Sequence, residues 1–279
     1  MTGIVGVVIP VFDDWESLRA VLKDMARSHD PNGPGLHVIV VDDGSSTEPP
    51  ADLAAVPNTG CIRSLEVIRV AVNLGHQRAI AVGLSAAARR DELASVVVMD
   101  GDGEDRPGDI ATLLATAARH PTQVVLARRA RRSEDWRFRL GYAAYKMAFR
   151  ILTGKVIDFG NFCLLPIGAV RRLVHMPELW NNLAATVMRS RMQTVRVSID
   201  RGQRVAGRSH MNLPGLIVHG LSAMSVYSDL IFVRVLLGAL LSGGLAALGI
   251  LAVTAIRLTT DYAVPGWAST VFGDLVIIL

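Results

Sequence analysis

Short apolar runs alternate with segments of helical period through the first 130 residues. Ile4–Pro10, Val38–Val41, Leu65–Val70, Ser95–Met99 and Val124–Ala127 are rich in β-branched residues, the pattern of buried strands. Between them Leu18, Val21, Leu22 and Met25, then Ile80, Leu84 and Ala87, then Ile110, Leu113 and Leu114 recur at helical spacing. Asp13 with Glu16 predicts a capping box at the start of the first helix, and Pro107 suits the first turn of the third. Such alternation predicts an α/β fold with a mainly parallel sheet and helices on both faces.

Further on, Trp136–Leu152 reads as a helix whose Phe138, Tyr142, Tyr145 and Phe149 pack back on the sheet. Phe159–Leu165 and Val195–Ile199 read as later strands. Leu216, Ile217, Leu221, Met224 and Tyr227 predict an amphipathic helix lying in a membrane interface. From Val235 to Ile256 the chain carries no charge over 22 residues, enough to cross a hydrocarbon core of about 30 Å. Ala263–Leu279, at 17 residues, is near the lower limit for a second span. The expected organisation is an α/β domain over 1–212, an interface helix over 213–230 and a membrane region over 231–279. Its spans would lie at about 231–256 and 263–279, making a multi-pass protein of the inner (cytoplasmic) membrane. Arg201, Arg204, Arg208 and Arg234 precede the first span, and strand pattern begins at Ile4 with no signal-peptide pattern before it. Both features predict a cytoplasmic α/β domain.

Net charge is only +4, and basic and aromatic residues do not interleave. A membrane-facing rim accounts for that charge, and no nucleic acid is expected as a partner. Cys61 and Cys163 lack metal-ligand spacing and are expected to be reduced.

The candidate chemistry sits at the strand Val96-Val97-Val98-Met99, which ends in Asp100-Gly101-Asp102. Alternate strand residues share a face, so Asp100 and Asp102 are expected to aim at one point. Two carboxylates with room for substrate phosphate suit Mg²⁺ or Mn²⁺. Ligands of such sheets bind beyond the carboxyl ends of the strands, where the pattern also puts Asp13 and Asp43. The run Arg128-Arg129-Ala130-Arg131-Arg132 reads as a solvated loop or a patch on anionic lipid, with Arg129 open to a role in the site.

Six blocks in order carry a resemblance. They are Val8-Ile9-Pro10-Val11-Phe12; Val41-Asp42-Asp43-Gly44-Ser45-Ser46; Asn73-Leu74-Gly75 with Arg78 and Gly83; Met99 through Pro107; Phe159-Gly160-Asn161-Phe162; and Arg204 with Gly207-Arg208-Ser209. In these the chain resembles family 2 glycosyltransferases of the GT-A fold, in the branch that includes dolichyl-phosphate mannose synthases and bactoprenol-phosphate glucosyltransferases. The resemblance implies a nucleotide pocket lined by Pro10, Phe12 and Asp14, with Asp43 bonded to the base and Asp100 at the diphosphate. It implies that Asp102 holds the metal, with Glu104 adding an oxygen where relatives usually carry Gln. Arg129 and Arg139 match arginines that hold phosphate, and Arg204 matches one on a loop that closes over phosphate groups. Ser209 and His210 fall beside the acceptor phosphate, His210 standing where relatives have Lys. Asn161 replaces a usual Asp and cannot act as a base, which leaves Asp158 or Asp105 for that task and favours an acceptor that is already anionic.

The expected function is therefore inverting transfer of a sugar from a nucleotide donor to a polyprenyl phosphate at a lipid bilayer. Homo-oligomers formed through membrane helices are implied as well. Two alternatives stay open: extension of a lipid-linked or envelope saccharide, and a nucleotide-sugar-binding subunit without turnover. Processive relatives carry Gln-x-x-Arg-Trp, whereas Gln193-Thr194-Val195-Arg196 is followed by Val197.

Overall fold

Seven strands form one sheet in the order β3-β2-β1-β4-β6-β5-β7. The computed structural model describes residues 3–53, 61–129, 136–156, 159–200, 202, 213–260 and 266–278. In chain order the strands are β1 (Ile4–Val11), β2 (Leu36–Asp42), β3 (Ile62–Arg69), β4 (Leu93–Val98), β5 (Val124–Arg129), β6 (Cys163–Pro166) and β7 (Thr194–Ile199). The helices between them are α1 (Trp15–Ser28), α2 (His76–Ala88), α3 (Ile110–Arg119), α4 (Trp136–Thr153), α5 (Ile167–Leu173) and α6 (Leu183–Arg189). All pairings are parallel except those of β6, which runs antiparallel between β4 and β5. The fold is α/β with a mostly parallel sheet, as the alternation predicted.

Period-two alternation sorts the strand residues onto two faces. Val5, Val7 and Ile9 of β1 pack with Leu18, Leu22 and Met25 of α1 and with Ile110 and Leu113 of α3. Val8, Ile39 and Val41 face Ile80 and Leu84 of α2 and Val170 and Leu173 of α5. Close approach on this second face depends on Gly83: a Cβ there would lie 2.4 Å from a Val8 methyl. The carboxyl ends of β1, β2 and β4 consequently lie side by side on one sheet edge.

Several local expectations are corrected. β6 begins at Cys163, so Phe159–Phe162 approach it outside any strand. Asp14, not Asp13, caps α1, its Oδ1 accepting from Ser17 N–H at 3.4 Å. Asp13 instead takes a positive φ of 50° and turns its carboxylate to Ser46 N–H and Oγ–H, at 2.7 and 2.8 Å. The helix expected over 213–230 is broken: α7 covers Leu213–Ser225 and α8 covers Ser228–Thr259. Phe149 packs edge-on against Tyr227, with ring centroids 6.0 Å apart. Phe138 and Tyr142 have side chains outside the described residues.

The chain divides into two compact units, Met1–Met147 with Lys155–Val226, and Ala148–Gly154 with Tyr227–Leu279. In the second unit α8 is 32 residues long, with a mean hydropathy of 2.2 in its most apolar stretch. Its leucines, Leu236, Leu240, Leu241, Leu248 and Leu251 among them, are exposed. At 1.5 Å per residue it is about 48 Å long, more than the membrane core requires. α9 (Trp267–Ile278) has 12 residues and lies against α8, where a Cβ on Gly249 would meet Leu275 at 3.0 Å. Among the described residues only α8 is long and apolar enough to span a membrane, so the second span and the multi-pass reading are not supported.

Candidate active site

The acids that follow β1, β2 and β4 meet at one edge, and backbone amides hold most of them in place. Asp43 is 3% exposed, and its two oxygens accept the N–H groups of Leu74 and Gly75 at 2.8 and 2.9 Å. Gly75 has a φ of 91°, a conformation that costs glycine little. Burial pushes the Asp43 carboxyl up, against the pull of those two amides. The end of β2 thereby anchors the loop that launches α2 and its first residue, His76. Asp42 is fully buried, accepts from Ser45 N–H at 2.9 Å and lies 3.3 Å from Arg69 Nε. Gly44, Ser45, Arg69, Val70 and Ala71 line a surface pocket of about 370 Å³ beside these acids.

Strand alternation does not place Asp100 and Asp102, because β4 ends at Val98 and both acids lie in the turn beyond it. That turn is built by its own carboxylates. Asp105, 3% exposed, accepts Asp100 N–H at 3.0 Å, and Asp102 Oδ1 accepts Glu104 N–H at 2.9 Å. His76 Nε2 stands 3.2 Å from Asp100 Oδ1. Withdrawal from water works against the charged imidazole, but Asp100, Asp102 and Asp105 outweigh it and raise the His76 pKa. Three carboxylates thus bear on one ring. Glu104 is half-buried, and its carbonyl takes the N–H of Gly202 at 2.9 Å, which ties the turn to the chain after β7.

Pro10 is buried in β1, and Phe12, 48% exposed, projects from the same strand end. Asp14 is the α1 cap described above. β5 runs parallel to β4, so the backbone of Arg129 stands at this edge too; its side chain lies outside the described residues. Arg139 lies in α4 with its side chain also outside them, and Asp158, Arg204, Ser209 and His210 are wholly outside. Cys163 is buried and its thiol is pushed up to about 12 by burial, which leaves it no nucleophilic role.

Among the described residues no three or more His, Cys, Asp or Glu side chains form a metal cage. The acidic turn fits Mg²⁺ or Mn²⁺ in another way, since such ions take one or two carboxylates and complete their shell with phosphate and water. Sequence reasoning had missed His76, Gln77 and Gly202. The signal for His76 was its place directly after Asn73-Leu74-Gly75; for Gly202 there was none.

Residues 6–172 match the family model of glycosyl transferase family 2. The glycosyltransferase YkcC of Bacillus subtilis is 22% identical over 95% of this chain and 81% of its own length. The undecaprenyl-phosphate 4-deoxy-4-formamido-L-arabinose transferase of Aeromonas hydrophila is 28% identical over 77% of this chain. The chain spans 64% of the length of that relative. Among solved structures, glucosyl-3-phosphoglycerate synthase from Mycobacterium tuberculosis, in complex with Mn²⁺, UDP-glucose and phosphoglyceric acid, superposes with a TM-score of 0.55 at 16% identity, covering 82% of this chain and 80% of that one. Mannosyl-3-phosphoglycerate synthase from Rubrobacter xylanophilus gives 0.54 at 15% identity, covering 81% and 73%. These superpositions establish the GT-A fold.

Proposed function

Because this chain belongs to glycosyl transferase family 2, we propose that it moves a sugar from a nucleotide-sugar donor to a polyprenyl phosphate, with inversion at the anomeric carbon. The observation that carries this reading is the gathering of Asp43, Asp100, Asp102 and Glu104 at the edge formed by β1, β2 and β4. The names of the relatives supply the acceptor class.

In this reading the base enters the pocket beside Gly44 and Arg69, with Phe12 and Pro10 near it. Asp43, expected to bond the base itself, instead holds the wall, because it is buried and both its oxygens already accept from Leu74 and Gly75. Asp100 faces the donor diphosphate, and Asp102 with Glu104 would hold Mg²⁺ or Mn²⁺. A divalent cation bound there stabilises the charge that develops on the departing nucleoside diphosphate. Arg129 and Arg204 add guanidinium forks to the same phosphates, and Arg139, Ser209 and His210 receive the acceptor phosphate. An acceptor phosphate oxygen forms the new bond to the anomeric carbon as the bond to the donor diphosphate breaks. That oxygen is already anionic near neutral pH, so Asn161 in place of an acid does not impede attack. α8 anchors the chain in the membrane, with the α/β unit on the cytoplasmic side.

The test is an assay of the purified full chain in detergent or nanodiscs with Mn²⁺ or Mg²⁺, a panel of nucleotide sugars and undecaprenyl phosphate. A glycolipid with one sugar per lipid phosphate is expected. No glycolipid from any donor, while a known undecaprenyl-phosphate transferase makes one alongside, rejects the proposal. Sugar added only to oligosaccharide acceptors would point to chain extension instead.

A further inference from the structure

We infer that His76 is a positioning residue for Asp100, clamped from behind by a polar chain that begins at the backbone of α6. The inference rests on reading the acidic turn as the donor-diphosphate site. Leu183 N–H, in the first turn of α6, donates to Gln77 Oε1 at 2.8 Å. A backbone N–H cannot exchange roles, so this bond fixes which way round the Gln77 amide sits. Gln77 Nε2 then donates to Asn161 Oδ1 at 3.1 Å, and Asn161 presents Nδ2 to His76 Nε2 at 3.1 Å. The same ring nitrogen lies 3.2 Å from Asp100 Oδ1.

Burial makes the chain directional. Leu183 is 1% and Gln77 8% exposed, so water cannot take over the first link. One ring nitrogen cannot do both at once: with its proton it donates to Asp100, and only without that proton does it accept from Asn161. Asn161 therefore limits where the ring can sit, while the bond to Asp100 orients the carboxylate. α6, α2, the approach to β6 and the turn after β4 are thereby joined through Gln77, Asn161 and His76. A carboxylate held in one orientation before the donor arrives spares the reaction that ordering cost, and small misplacements in such sites lower turnover strongly.

Asn161 is the specific element. An acid there would still accept from Gln77, but it would also accept the His76 N–H and so compete with Asp100 for the imidazole. Ordinary packing roles do not predict that asymmetry.

The experiment compares His76→Ala, His76→Gln and Asn161→Asp with the wild type in three readouts. These are kcat and donor KM, binding of UDP with Mn²⁺ by calorimetry, and hydrogen exchange of the amides of residues 99–106. His76→Ala is expected to lower kcat about 10- to 100-fold, with donor KM and UDP affinity changed less than about threefold. Its turn amides should exchange faster. His76→Gln, which keeps an N–H at similar reach, recovers most of the lost kcat, and Asn161→Asp loses about 10-fold in kcat with UDP still bound. Unchanged kcat and unchanged exchange in His76→Ala overturn the inference, as does a rise in KM alone or a His76→Gln variant no better than alanine. A wild type that binds no UDP and transfers no sugar rejects the transfer reading. The exchange measurement still decides whether His76 orders the turn.

Discussion

Gly202 donates its backbone N–H to the carbonyl of Glu104 at 2.9 Å, and this bond ties the chain after β7 to the acidic turn. The fit leaves no room for a side chain. A Cβ at 202 would lie 2.5 Å from Gly103 O and 2.8 Å from Arg106 Cγ. Gly202→Val must therefore push residue 202 and the turn apart. Turnover is expected to fall at least about 10-fold while the melting temperature moves little, because the clash lies at a surface turn rather than in a core cluster. Kinetics and a melting curve on the same preparation check both halves; full activity would mean that the contact is dispensable.

Asp102→Asn separates charge from architecture. The amide keeps an oxygen that can accept Glu104 N–H, now at 2.9 Å from the carboxylate, so the turn should survive. What is lost is the negative charge needed to hold a divalent cation. Turnover is expected to drop at least about 100-fold, and extra Mn²⁺ should restore little of it. Mn²⁺ binding followed by electron paramagnetic resonance in the presence of UDP should weaken in parallel. Full turnover in this variant would remove Asp102 from the metal site.

Asp43 is where stability and function meet. Both of its oxygens are occupied by amides of the loop that carries His76, and the group is buried. Asp43→Ala leaves two N–H groups without their acceptor, at a cost of about 2–4 kcal/mol. Asp43→Asn keeps one oxygen and should cost less. Denaturant unfolding of the three proteins orders them as wild type, Asn, Ala; an alanine variant as stable as the wild type would show that the loop does not depend on this carboxylate.

The framework was legible because its signals are local and periodic. Runs such as Val38–Val41 and helical stripes such as Leu18, Val21 and Leu22 fixed the α/β alternation, and the sheet followed. The acids at strand ends were legible for the same reason. Boundaries that depend on tertiary contacts were not. Asp13 looks as good a cap as Asp14, and only the hydroxyl and amide of Ser46, 33 residues away, draw its carboxylate off the helix. The chain from Gln77 to Asn161 joins residues 84 apart, and no spacing rule reports such a pairing. Apolar composition alone could not separate α9 from a span, because Gly266 with its φ of 94° and the start of the helix at Trp267 shorten it.

His37 makes one contribution to the pH dependence of stability. It is buried in β2, with Ser64 bonded to Nδ1 and Glu66, Arg90 and Glu92 as its charged neighbours. Burial lowers its pKa and Arg90 lowers it further, while Glu66 and Glu92 pull it partly back; the net shift is downward. The folded chain therefore holds fewer protons at this site than the unfolded chain, whose histidine titrates near about 6.5. Folding at pH above that value is indifferent to the group. As pH falls below it the unfolded state gains a proton that the native state refuses, and stability is lost. Melting temperatures of the wild type between pH 7.5 and about 5 should decline more steeply than those of His37→Gln, which takes up no proton there. His29, also buried, and His76, whose raised pKa acts in the opposite sense, are common to both proteins and cancel in the comparison. Parallel pH slopes for the two proteins would show that His37 accepts its proton in the folded state as readily as in the unfolded one.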